Sequence, residues 1–187
     1  MPELDRGPLP GLSCLRLKKI ANVLAELGKT LRSGAARGAD TAFECGCDRA
    51  RGKKEIFLPW ERFNESDSPL FSPPEQAEIV ASLCHPNWKA CDSVARKFHA
   101  RNCQQICGND MKSPVDFVLF WAPEENGVVK GGTATAVFLA REMKIPTFNL
   151  REEETLARWL EFAECCEKNR KQFWDNVFGL FDQWGKQ

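Results

Sequence analysis

The sequence predicts an α/β protein: a Rossmann-like three-layer α/β/α arrangement around a mainly parallel sheet, with C-terminal helices added. Three observations predict it. Short apolar runs alternate with helical patterns over residues 15–150, the signature of strands joined by crossover helices. The run Asp116-Phe117-Val118-Leu119-Phe120-Trp121 is apolar after its first residue, as expected of a strand covered on both faces. Two strand-to-helix turns are rich in small residues, and open α/β sheets bind their ligands at such turns.

The elements follow in order. Leu15, Ile20, Val23, Leu24 and Leu27 recur at helical spacing, and Gly28 stands where a C-cap belongs. Residues 29–32 read as a strand feeding the glycine-rich segment 33–40. A helix over 41–51 ends at Gly52. Glu55-Ile56-Phe57-Leu58 is a strand stopped by Pro59. Residues 60–74 are loop, and a loop of that length in a small domain is often functional. A helix is expected over 74–83, broken by His85-Pro86-Asn87, and a second from about Trp88 to Cys107. After the strand at 116–121 come a turn at Asn126-Gly127, the glycine pair at 131–132, a helix through Met143 and a strand over 146–150. From Glu152 the pattern is helical to the end. This divides the chain into a nucleotide-binding domain, residues 1–150, and a helical extension, residues 151–187.

Composition narrows the class. The chain has 187 residues, 43% hydrophobic and 28% charged, which is globular rather than disordered. A formal net charge of zero does not recommend nucleic acid as a partner. No apolar run approaches the roughly 20 residues that span a bilayer, and residues 1–10 are polar and proline-rich; the expected location is cytoplasmic. Nine cysteines, several within predicted helices, read as reduced thiols of a cytosolic protein rather than a disulfide scaffold. A zinc site would have to draw on Cys45, Cys47, Cys84, His85, Cys103 and Cys107, none of which forms a Cys-x2-Cys pair. No metal is expected.

Chemistry concentrates in two loops. In Ser33-Gly34-Ala35-Ala36-Arg37-Gly38-Ala39-Asp40 small residues let backbone N–H groups approach a ligand, and the helix start beyond favours an anion. Arg37 adds a donor fork suited to phosphate or carboxylate, and Asp40 is placed to accept from ribose hydroxyls or to cap the helix. The plainer alternative is a tight turn with Arg37 and Asp40 paired or solvated. In Lys130-Gly131-Gly132-Thr133-Ala134-Thr135-Ala136 two glycines, a hydroxyl and a lysine make a phosphate cradle, without being a Walker A loop or a Gly-x-Gly-x-x-Gly motif. Here the alternative is a turn into a helix capped by Thr133.

The run from Leu31 through Glu44, then Lys54-Glu55-Ile56-Phe57-Leu58-Pro59-Trp60, His85-Pro86, residues 95–102, Ser113-Pro114-Val115-Asp116-Phe117, 130–136 and Ile145-Pro146-Thr147-Phe148-Asn149-Leu150 together resemble the SLOG superfamily. The resemblance is to its DprA-like, Rossmann-type members, common in bacterial and phage genomes, and covers roughly residues 15–150. It implies a parallel sheet flanked by helices and a nucleotide-type ligand at the two loops. It does not settle function, because members include ligand sensors, DNA-handling proteins and nucleotide hydrolases. Two departures matter. Such proteins begin with a strand leading into a Gly-Ser-Arg-like turn, whereas residues 1–10 show none. The phosphoribohydrolase branch, Lonely Guy, carries a catalytic glutamate where this chain has Ala136.

The sequence-based expectation is therefore binding or sensing of a nucleotide-derived small molecule by Ser33, Gly34, Arg37, Gly38 and Asp40 on one side and Lys130, Gly131, Gly132 and Thr133 on the other. A nucleotide hydrolase or transferase, with Asp40, Glu44 or His85 as acid or base, is the alternative. A single-stranded-DNA accessory comes third. Phe173, Trp174, Val177, Phe178, Phe181 and Trp184 form an apolar helical stripe, expected to pack on the domain or to make a homodimer seam.

Overall fold

The computed structural model describes residues 11–184, with side chains through residue 173. It is a mixed α/β structure whose helices dominate and whose strands are short. Helix α1 (Gly11–Glu26) leads to β1 (Leu31–Ser33), α2 (Ala39–Arg49) and β2 (Lys54–Ile56). Helices α3 (Glu75–Cys84) and α4 (Ser93–Cys107) come next. The chain continues through β3 (Val118–Phe120), a small hairpin β4 (Glu124–Glu125) and β5 (Val128–Val129), α5 (Ala134–Glu142), β6 (Thr147–Asn149) and α6 (Glu153–Trp184).

Most elements fall where the hydrophobic pattern puts them, with ends displaced by local chemistry. Gly28 closes α1 at φ 81°, a conformation costly for other residues. Asn126-Gly127, at φ 51° and 78°, turns the β4–β5 hairpin, as that dipeptide favours. The helix expected from Trp88 to Cys107 is instead a short 3-10 turn, Trp88–Ala90, followed by α4. Asp92 explains the break: its carboxylate accepts from Ala95 N–H at 2.8 Å, so the helix starts at this N-cap. The loop 60–74 contains a 3-10 turn at Phe63–Glu65. Phe63, Trp60 and Phe98 meet there edge to face, with centroids 5.2–5.4 Å apart.

The sheet departs from expectation. The strands make separate pairs, parallel β1–β2, parallel β3–β6 and antiparallel β4–β5. Among the described residues no strand joins β1 to β3, so one continuous parallel sheet is not formed. The first strand that the resemblance expects would fall on residues 1–10, which lie outside the described residues.

The helices pack in two groups, α1 with α2 and α6, and α3 with α4 and α5. Leu17, Ile20, Ala42, Phe43, Leu150 and Leu156 form the core of the first; Ala81, Cys103, Ile106, Leu139 and Ala140 form that of the second. Alternation along β3 serves both groups, because Leu119 packs into the first and Val118 into the second. The start of α6 packs on α1 and is tied to it by Lys19 to Glu164 and Glu167, and by Arg170 to Glu26. Of the apolar C-terminal stripe, Phe173 is exposed; the side chains from Trp174 to Trp184 lie outside the described residues. No described helix is long and apolar enough to cross a membrane.

Candidate functional site

Both glycine-rich loops, nearly a hundred residues apart in sequence, line one cleft of about 1080 Å³. It runs between the two parallel pairs, with β1 along one wall and β3 along the other. That volume is at the upper end for small-molecule sites. A second hollow of about 320 Å³, between α1, α6 and Phe117, has almost wholly apolar walls, with Lys29 and Arg158 among its lining residues.

The first loop is held by its own side chains. One Asp40 oxygen, Oδ2, accepts from Gly34 N–H and Ala36 N–H, each at 3.1 Å. Arg101, from the buried face of α4, lies 3.7 Å from the same oxygen. Its guanidinium also packs on Gly34, where an added Cβ would fall 1.1 Å from Nη1; glycine at 34 is a requirement of close approach. Gly38 sits at φ 100° and ψ −117°, a region only glycine enters freely. Asn64 of the long loop donates to Ala35 C=O at 2.8 Å.

This wiring changes the roles expected from sequence. Asp40 fills with its own carboxylate the nest of N–H groups that a phosphate would use, so Gly34 and Ala36 have no donor to spare. Ser33 is buried and its hydroxyl donates to Glu44 at 2.8 Å. Glu44 lies behind the loop and is not part of the cleft wall. Burial, reinforced by the nearby Asp40 charge and opposed by the Ser33 hydrogen bond, raises its carboxyl above the usual range. Arg37 is exposed at the cleft, and among the described residues its side chain forms no ion pair.

The second loop is lightly held. Asn102, next to Arg101 on α4, donates to Gly132 C=O at 2.7 Å. Lys130 reaches Glu125 at 3.6 Å. Thr133 occupies the N-cap position of α5, but its side chain makes no capping bond. Gly132 and Thr133 line the cleft where α5 begins, and a helix start carries N–H groups without intrahelical partners.

Six basic residues line the cleft against three acidic ones: Lys29, Arg32, Arg37, Arg101, Lys130 and Arg151 against Asp40, Glu55 and Asp116. Three bases are neutralised in pairs, Lys29–Asp116 at 2.7 Å, Arg32–Glu55 at 2.6 Å and Arg101–Asp40. Lys130 has Glu125. Among the described residues Arg37 and Arg151 form no ion pair and remain as the surplus.

His85 does not line the cleft. It joins Cys91 and His99 beside Trp88, on the side of α4 that meets α5. His99 shares a 2.8 Å hydrogen bond with Thr135 Oγ1, and burial together with the nearby His85 lowers its pKa to about 4. All nine cysteines are free thiols; burial pushes Cys47 and Cys107 up.

Arg101 and Asn102 are the residues that sequence reasoning missed. A signal existed: two strongly polar side chains stand next to each other on a helix whose neighbours Ala100 and Cys103 are apolar and buried. The chain matches no family model, no curated protein and no solved structure.

Proposed function

We propose that the chain binds an anionic, nucleotide-derived small molecule in the cleft between the two parallel strand pairs. The observation that carries this reading is the convergence of both glycine-rich loops on one cleft with two arginines that form no ion pair among the described residues. The anion-binding end is the second loop: Gly132 and Thr133 N–H groups at the start of α5 favour a phosphate, and Arg37 supplies countercharge from the opposite wall. The first loop, locked by Asp40 and Arg101, is a shaped wall rather than a phosphate cradle. The two strand pairs are then halves of a Rossmann-like DprA-type SLOG domain interrupted at the cleft. Helix groups on both faces of β3 support that view.

Binding is favoured over turnover. Of the three acid–base candidates, Asp40 is engaged by the loop backbone, Glu44 is behind the wall and His85 is outside the cleft. The test is a thermal-shift panel of mononucleotides, dinucleotides, cyclic nucleotides and ADP-ribose on wild type and Arg37→Ala. A ligand at 100 times its Kd adds about 2.7 kcal/mol, roughly 5–10 °C for a chain of this size. The expected result is a shift with one ligand class that Arg37→Ala abolishes. Silence across the panel, or an undiminished shift in the variant, overturns the proposal.

A further inference from the structure

Outside the cleft, His85, Cys91 and His99 present ligand atoms that all lie within 4.8 Å of one another. They come from three places in the chain: the residue after α3, the turn before α4, and the middle of α4. Cys91 Sγ is 3.6 Å from His85 Nδ1. In a tetrahedral zinc site, bonds of about 2.0 Å to nitrogen and 2.3 Å to sulfur set the ligand atoms roughly 3.5 Å apart. The cluster is therefore close to coordination spacing before any ion enters.

We propose that His85, Cys91 and His99 form a site for a zinc-like divalent cation, with the fourth position open to water. The donor set decides the class of metal. One thiolate and two imidazoles suit zinc and its first-row neighbours and are poor ligands for calcium or magnesium, which take oxygen. His99 already has the partner that metal-bound histidines need: its Nδ1 shares a hydrogen with Thr135 Oγ1 at 2.8 Å, which leaves Nε2 for the metal. At His85 the ion would displace a 3.2 Å hydrogen bond that Nδ1 accepts from Asn87 N–H. Cys91 binds as thiolate, so its proton is released on loading. All three residues are half-buried, sheltered yet reachable from solvent. The ion would staple residues 85–92 to α4. Through Thr135 it would also border the first turn of α5, behind the second glycine-rich loop.

Chelator-stripped full-length chain is titrated with cobalt(II) as a spectroscopic stand-in. The expected result is one equivalent bound, with the intense visible bands of a tetrahedral site and a thiolate-to-cobalt charge-transfer band, both removed by added zinc. Cys91→Ser should lose the charge-transfer band and weaken binding at least about tenfold, since even outer-shell changes at metal sites cost that much. Cys45→Ser, at an exposed cysteine elsewhere, should change neither. His85→Ala, checked for native far-ultraviolet circular dichroism, gives a second reading should Cys91→Ser not fold. Absence of tetrahedral bands, their survival in both ligand variants, or their loss in Cys45→Ser overturns the proposal.

Discussion

The two glycine-rich loops look alike in sequence and are built on opposite plans. The loop at 33–40 is closed on itself: a carboxylate fills its nest of N–H groups, an arginine covers that carboxylate, and Asn64 pins Ala35 from outside. The loop at 130–133 is more open: Asn102 and one long contact from Lys130 are its side-chain ties, beside a backbone bond from Lys130 N–H to Pro123 C=O at 2.9 Å. Small residues therefore have two uses. In the first loop they let protein pack on protein, and in the second they leave backbone donors exposed. One helix, α4, governs both through Arg101 and Asn102, so the difference can be tested by changing neighbouring residues.

The largest effect is expected at Arg101. Replacing it with alanine removes a buried cation from Asp40 and empties the space over Gly34. Losing one partner of a buried pair costs 3–5 kcal/mol, and because Asp40 is partly exposed the expected loss is about 3 kcal/mol, read by urea denaturation. A loss under about 1 kcal/mol would mean that the first loop is not held from α4. Next come two adjacent residues with opposite needs. Gly34→Ala forces a methyl into the Arg101 guanidinium, and overpacking of this kind costs about 1–3 kcal/mol. Ala35 is an alanine held at φ 54°, a region that costs a side chain about 1 kcal/mol, so Ala35→Gly should be neutral or gain up to about 1 kcal/mol. Equal losses at both positions would sink this account of the loop.

The comparison also shows what a sequence can carry. Local pattern placed most of the helices, the Asn-Gly turn and both loops, because amphipathic period and turn chemistry act within a few residues. Convergence of the loops on one cleft was implied only by the order of motifs. The internal use of Asp40 was not legible, since its partner Arg101 lies 61 residues away and nothing local distinguishes a carboxylate that binds its own loop from one that binds ribose. The division of the parallel strands into two pairs is likewise a long-range outcome. For His85, Cys91 and His99, spacings of six and eight residues match no standard metal motif. Only the turn at Trp88–Ala90 and the Asp92 cap bring them together.

A smaller effect belongs to the open loop. Asn102→Ala leaves Gly132 C=O without its amide, at a cost of about 1 kcal/mol. Amide hydrogen exchange should then quicken over residues 124–133 and stay unchanged over 33–40. Exchange that quickens in both loops would show that α4 couples them rather than holding each separately.

The smallest effect is a pH dependence behind the closed loop. Burial raises the Glu44 carboxyl, so the folded chain holds this proton more tightly than the unfolded chain, where glutamate titrates near about 4.3. The resulting stabilisation is complete below that unfolded value and is lost as pH rises through the higher folded one. Glu44→Gln keeps an acceptor for the Ser33 hydroxyl and removes the ionisation. The two proteins should melt at nearly the same temperature at about pH 4, and the variant should gain on wild type as the pH is raised to about 8. A gap that closes or reverses with rising pH would mean that the Ser33 hydrogen bond and the nearby Lys54, both of which lower the pKa, outweigh burial; Glu44 would then support the first loop as a charged anchor.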